Sequence, residues 1–417
     1  MTGMMPSWEE PRSTSAGPWC GIRVLDLTAV LMGPSATQIL GDLGADVIKV
    51  EPVQGDSMRW VGPFRHAGMG PLFLQANRNK RSVALDLKSP AGLAALKALA
   101  ADADIFVSNV RPAGMERLGL GYEAVRAVNP AIIYCSAVGY GEGGPGAGRP
   151  VYDDLMQAAS GIAGIFAAVD GTPRYAPVNL CDRVVGLYVA IAIMAALQHR
   201  NRTGEGQAIE VPMFETMAQF VLADHSGGRA FEPPIGEVGY KRLLSRTRGP
   251  YRTKDSYLAV VVYTDRHWRA FANIVGVQTL FDPGSVFLSM ESRTIHAQTI
   301  GAFLAEQLQK RTNAEWLEVL DAADIPACPV NSIDDLYSDP HLRAVGLFQP
   351  VSHPTEGDLL ATRFPVKFSR SPATLRRTVP NLGEHGGAAP GREAASGGAA
   401  QGAAAKPAGV GARGSAK

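Results

Sequence analysis

Asp182 is the residue whose setting most invites a chemical reading. It ends the run Pro177-Val178-Asn179-Leu180-Cys181-Asp182, just before a long apolar stretch. A carboxylate there either caps the helix that follows, accepting its first backbone N–H groups, or acts as a nucleophile, because carboxylates can form covalent acyl intermediates. The local pattern leaves both readings open. Asp153 and Asp154 follow Tyr152 at the start of a segment that reads as helix to Ser160. Capping and dipole compensation account for them. Arg78, Lys80, Arg81 and Lys88 bracket one β-rich run, and Arg111 and Arg117 follow the next. Such cations form either a solvated face or a phosphate pocket at the strand ends of an α/β sheet.

Other chemistries fit less well. Gly139-Tyr140-Gly141-Glu142-Gly143-Gly144 has the spacing of a dinucleotide fingerprint, but Pro145, Gly146 and Gly148 continue the loop where a helix must begin. The run therefore reads as a flexible glycine-rich loop. The eight His are scattered, with no HExxH-like pair. The four Cys (Cys20, Cys135, Cys181 and Cys328) are far apart, so neither a metal site nor a disulfide framework is expected, and a reducing cytosol fits. No GxSxG elbow is present. Lys plus Arg is 40 against 39 Asp plus Glu, which argues against a nucleic-acid binder. The first residues lack an apolar core and contain Glu9 and Glu10, so no targeting peptide is expected. The apolar stretch from Val184 to Leu197 reads as too short to span a bilayer. These features predict a cytoplasmic protein without a membrane partner.

The elements that must position these residues alternate. Ile22 to Leu27 reads as a strand, Ser35 to Leu43 as a helix, and Asp46 to Val50 as a second strand. Ser82 to Leu87 is a third strand. Ser89 and Pro90 then open a helix as N-cap and first residue. Strands at 105–107 and 131–138, a helix at 122–128 and a long helix at 183–200 complete the pattern. With hydrophobic residues at 46%, this predicts a doubly wound α/β domain over 19–205. Residues 206–325 read as a linker, glycine- and arginine-rich from 225 to 250, and a smaller α+β domain. Residues 326–385 read as a loop-rich return to the first domain. Residues 1–18 and the Gly/Ala-rich 386–417 read as disordered ends.

An ordered set of short motifs then carries a resemblance. They are Gly21-Ile-Arg-Val-Leu-Asp-Leu-Thr, Gly33-Pro34, Gly41-Asp-Leu-Gly-Ala-Asp-Val-Ile-Lys-Val-Glu51 and Asn77-Arg-Asn-Lys-Arg-Ser82. They continue through Leu85-Asp-Leu-Lys88, Asn109, Arg117-Leu-Gly-Leu-Gly-Tyr122, Tyr152-Asp153, Arg252-Thr-Lys-Asp255 and Leu382-Gly-Glu-His385. The chain resembles the family III CoA-transferases, the group of formyl-CoA transferase, carnitine CoA-transferase and related acyl-CoA racemases.

The resemblance implies a Rossmann-like large domain, a small domain and an interlocked homodimer. It places the family's aspartate nucleophile on Asp182. It places coenzyme A contacts on Val30, Leu31, Leu85, Lys88, Asn109, Arg117, Tyr152 and Asp153. It implies acyl-CoA and a free carboxylic acid as substrates, with succinyl-CoA a candidate donor, and no metal or prosthetic group. The implied route runs through an aspartyl anhydride and an aspartyl-CoA thioester. On the same fold, an acyl-CoA racemase or a non-catalytic CoA binder is the alternative. Three positions depart from relatives. Leu31 replaces a glutamine of formyl-CoA transferase, 243–251 lacks that enzyme's polyglycine run, and Tyr152 stands where the racemases carry a histidine base. Arg246, Arg248 and Arg252, near the expected mouth, suit either a dicarboxylate or simple surface solubility.

Overall fold

The computed structural model describes residues 17–386. Most of the N-terminal extension and of the Gly/Ala tail read from sequence lies outside the described residues. Gly17 and Pro18 instead open a turn in which Trp19 donates its N–H to Leu43.

Six strands form one parallel sheet: β1 (Arg23–Leu27), β2 (Asp46–Glu51), β3 (Lys80–Ala84), β4 (Ile105–Ser108), β5 (Ile133–Val138) and β6 (Gln207–Pro212). Their spatial order is β3-β2-β1-β4-β5-β6. All neighbours run parallel, with Val24 opposite Val47 on one side and Ile105 on the other. Parallel pairing requires crossovers, and helices supply them. They are α1 (Met32–Asp42), α2 (Pro71–Ala76), α3 (Pro90–Ala101), α4 (Pro112–Arg117), α5 (Tyr122–Val128), α6 (Asp153–Ala159), α7 (Ile162–Asp170) and α8 (Leu180–Thr203). A further helix, α9 (Met213–His225), follows β6. As the sequence predicts, Ser89 caps α3 by accepting from the Gly92 N–H, with Pro90 at its first position.

Each face of the sheet has its own core. One face packs Val24, Val47 and Val107 against α1 and α8 through Leu40, Val185, Val189 and Ile193. The other packs Leu25, Ile48 and Phe106 against α3 and α5 through Leu96, Leu99 and Val125. This gives a mixed α/β architecture with helices on both faces of a parallel sheet.

The structure corrects two boundaries with consequences. The strand read as Ser82 to Leu87 runs from Lys80 to Ala84. Its start is masked in sequence because Lys80 and Arg81 are buried strand residues rather than a polar flank. The helix read as 183–200 spans 24 residues from Leu180 to Thr203. By length and composition it is long enough to cross a membrane, contrary to the shorter stretch read from sequence, and half of its apolar window is buried inside the protein. It also packs unusually close to α1. A Cβ on Gly186 would stand 2.8 Å from the Met32 carbonyl oxygen.

A second core lies after the sheet. Strands β7 (Tyr251–Arg252), β8 (Tyr257–Val260) and β9 (Ala327–Pro329) pair antiparallel. They pack with α10 (Asp265–Val275), α11 (Met290–Ile295), α12 (Ala297–Leu308) and α13 (Asn313–Ala322). Trp268, Phe271, Leu308 and Trp316 are fully buried there. Beyond it come α14 (Ile333–Ser338), α15 (Pro340–Ala344) and the hairpin of β10 (Phe348–His353) and β11 (Gly357–Thr362). The chain then runs back along β3. Asn79 donates to Arg377, Ala84 to Gly386, and His385 to Ser82.

Candidate active site

A cavity of about 1010 Å³ opens beyond the carboxyl ends of β1, β4 and β5. It sits where the strand order reverses, between β1 and β4, because the connections there leave in opposite directions and part the covering helices. Its walls include Ala29, Val30, Asn109, Arg117, the glycine-rich loop and Asp182. That loop does not open a helix: it runs as turns to Tyr152, as expected.

Asp182 is the third residue of α8, inside the first turn, and Asn179 is the N-cap. It is therefore not the cap that one sequence reading made it. Cys181, Val185, Val189 and Ile193 anchor the same helix in the core, so Asp182 is delivered to the cavity by a rigid element. Its side chain is nearly buried, and among the described residues its carboxylate accepts no hydrogen bond. Its backbone N–H donates to Asp153 Oδ1 at 2.9 Å. The other Asp153 oxygen accepts from Gln157 Nε2 at 2.6 Å. Asp153 thus caps α8 from the first turn of α6, a long-range partnership that local capping rules do not anticipate.

The electrostatics follow from this arrangement. Burial, and then the neighbouring Asp153 carboxylate, push the Asp182 carboxyl up from 3.8 to about 6, against a smaller pull from Arg183. An attacking carboxylate must be ionised, so turnover should fall as pH drops through about 6. Asp153→Asn removes the second carboxylate's charge and should move that acidic limb to lower pH. A pH–kcat profile checks this, and an unmoved limb would contradict the coupling.

The loop from β1 to α1 is held at Thr28, Ala29 and Val30. Asp26 Oδ1 accepts from both the N–H and the hydroxyl of Thr28, at 2.9 and 2.6 Å. Lys49 Nζ donates to the Thr28 carbonyl at 2.7 Å. The Asn109 amide binds both the N–H and the C=O of Ala29, at 3.0 and 2.9 Å. Asp56 accepts from the Val30 N–H at 3.2 Å. Val30 takes φ +68°, a conformation that a β-branched residue avoids and that is worth about 1–3 kcal/mol of strain. The clamps keep it there, on the cavity wall.

The structure separates two kinds of cation. Arg78, Lys80 and Arg81 belong neither to a phosphate pocket nor to a solvated face. They are buried in ion pairs with Asp42, Asp26 and Asp46. Arg111, Arg117 and Arg149 line the cavity, and their guanidiniums have no acidic partner among the described residues. Arg149 was missed in the sequence, where it sits between Gly148 and Pro150 in a segment read only as loop.

Of the positions implied by resemblance, Val30, Asn109, Arg117, Tyr152 and Asp182 meet at this cavity. Asp153 lies behind Asp182 as its buried neighbour. Leu31, Leu85 and Lys88 are not on this cavity wall. Leu31 is buried at the start of α1, Leu85 packs in the second face's core, and Lys88 is exposed before α3. Arg246, Arg248 and Arg252 do not line it within the chain either.

With this geometry in place, the relatives are informative. The family model described as CoA-transferase family III matches residues 20–386. A succinate–glutarate CoA-transferase of Agrobacterium fabrum is 35% identical, covering 88% of this chain and 94% of the relative. A human succinyl-CoA:glutarate CoA-transferase is 34% identical, covering 88% and 83%. The crystal structure of a CAIB/BAIF family protein from Brucella suis aligns with a TM-score of 0.74 at 31% identity, over 88% of this chain and 97% of that one. The match spans the parallel sheet, the cavity and the returning segment alike, and the chain belongs to CoA-transferase family III.

Proposed function

We propose that this protein moves CoA from a short dicarboxylyl-CoA such as succinyl-CoA to a free carboxylic acid, with Asp182 as the covalent relay. The observation that carries the reading is a nearly buried carboxylate, accepting no hydrogen bond among the described residues, on the wall of a cavity furnished with three acid-free guanidiniums.

One Asp182 oxygen attacks the thioester carbonyl. The C–S bond breaks, the CoA thiolate leaves, and a mixed anhydride remains. The thiolate then attacks the Asp182 carbonyl, releasing the donor acid and leaving an aspartyl-CoA thioester. The acceptor carboxylate attacks that thioester and expels the thiolate again. Attack of the thiolate on the acceptor's carbonyl yields the new acyl-CoA and regenerates the Asp182 carboxylate. Each step exchanges one anion for another, so no proton has to move. No histidine lines the described cavity, which disfavours a racemase-type proton abstraction there.

In this reading Arg111, Arg117 and Arg149 hold the anionic groups of CoA. Val30 and Tyr152 border the acyl end, and Asn109 and Asp153 act as positioning residues. Residues 19–205 form the CoA-binding body, and 206–325 the linker and smaller domain. Exposed apolar residues on α8 and α9 (Leu187, Tyr188, Ile191, Phe220 and Leu222) support a homodimer.

The test is a panel of free C2 to C6 acids with succinyl-CoA as donor, read by mass spectrometry of the thioesters formed. A dicarboxylate acceptor such as glutarate should be converted. If no acid in the panel yields a new thioester, the proposal fails.

A further inference from the structure

The second core contains a cavity of about 330 Å³, between the segment 242–251, strand β8 and helices α11 and α12. We propose that it is a binding site for a free carboxylic acid with a short aliphatic body.

Three donors converge there without acceptors. Arg242, Arg248 and Tyr251 line the cavity, and neither guanidinium nor the Tyr251 hydroxyl has a hydrogen bond or ion pair among the described residues. The Arg242 guanidinium lies beside the Tyr263 ring, 5.9 Å from its centroid. Both arginines act on the Tyr251 phenol electrostatically, which puts the three groups in one neighbourhood. Arg293 adds a third, buried guanidinium to the wall, fixed by the Phe287 carbonyl at 2.7 Å and by Asp265. No aspartate or glutamate lines the cavity. Only Arg293 of the three guanidiniums has a carboxylate partner, and the excess of cationic donors calls for an anion; a planar carboxylate matches the guanidinium fork.

The rest of the wall fixes the body of the ligand. Val260, Val262, Ile300 and Leu304 are apolar. A phosphate or sulfate would leave this surface unused, whereas an aliphatic chain covers it. The volume is at the low end for small-molecule sites and far below the 1010 Å³ of the Asp182 cavity, so it suits a small acid rather than CoA.

The site is also preformed. A Cβ on Gly301 would stand 2.1 Å from the Thr247 hydroxyl, so only glycine lets the 245–248 strap lie directly on α12. The Ser245 and Thr247 hydroxyls meet at 3.0 Å within that strap. Arg248 is thereby carried on a fixed segment, which lowers the ordering cost of binding.

This assignment does not rest on the role of Asp182, and its test needs no turnover. Glutarate is titrated calorimetrically into the full chain with CoA saturating the other cavity. Wild-type protein should bind it. Arg248→Gln should weaken binding about tenfold or more, the loss expected for a charge-assisted hydrogen bond, and Tyr251→Phe less. CoA affinity should be unchanged in both variants. Absence of glutarate binding, equal binding by both variants, or one-for-one displacement by CoA would overturn the proposal.

Discussion

Asp182→Asn should abolish CoA transfer, by about 10⁴-fold or more in kcat, and at the same time make the protein more stable. The loss follows from chemistry: an amide cannot form the anhydride or be regenerated as a carboxylate. Affinity for CoA should change little, since the arginines proposed to hold CoA are elsewhere on the wall. The gain follows from linkage. A carboxyl raised from 3.8 to about 6 by burial and by Asp153 takes up protons more readily folded than unfolded. Its stability contribution is therefore full below the unfolded value and is lost as pH rises through about 6. At neutral pH the ionised group costs the fold about 3 kcal/mol, which the neutral amide avoids. The variant should melt above wild type at pH 7.5, with the difference vanishing near pH 4. Hydroxylamine should trap an aspartyl thioester at residue 182 in wild type alone. Retained steady-state transfer in Asp182→Asn would remove it from the mechanism.

Asp26→Asn should be the most damaging substitution outside the cavity, costing about 3–5 kcal/mol in urea unfolding. Asp26 and Lys80 are fully buried and pair at 3.0 Å. Burial opposes the charge on Asp26, but Lys80 and Lys49 outweigh it and hold the carboxyl down at about 2. Lys80 fares differently: burial, helped by Lys49, outweighs Asp26 and lowers the ammonium to about 8. Lys49 acts on Asp26 from further away and keeps its own partner, Asp56, so the Asp26–Lys80 pair adds little net stability, yet removing the carboxylate strands Lys80. The same carboxylate organises Thr28 and Thr37, so the β1–α1 loop should loosen and transfer should fall as well. Replacing both partners, as Asp26→Leu with Lys80→Met, should recover much of the stability because no charge is then left unpaired. A loss below about 1 kcal/mol in Asp26→Asn would show that the pair is dispensable.

Much of the framework was legible in the sequence. Apolar runs of strand length alternating with amphipathic stretches gave the parallel sheet, and Ser89-Pro90 marked one helix start to the residue. The ordered motifs pointed to the family and to Asp182. Misreadings cluster where charge is buried. Lys80 and Arg81 looked like a polar flank, although each lies inside strand β3 with a carboxylate from another strand. Asn109, which the resemblance places on the ligand, lines the cavity and also holds Ala29 through both ends of its amide, a contact no local pattern announces.

By itself the sequence determined what local patterning and motif order can encode: the doubly wound sheet, the family and Asp182 as the candidate nucleophile. Only the tertiary structure decided which carboxylates and cations are neighbours. Asp153 meets Asp182 across 29 positions, Asn109 meets Ala29 across 80, and Arg248 faces a different cavity from Asp182. Such pairings arise because the crossovers of a parallel sheet carry chemically active residues to one edge from segments far apart in sequence, and no periodicity records them.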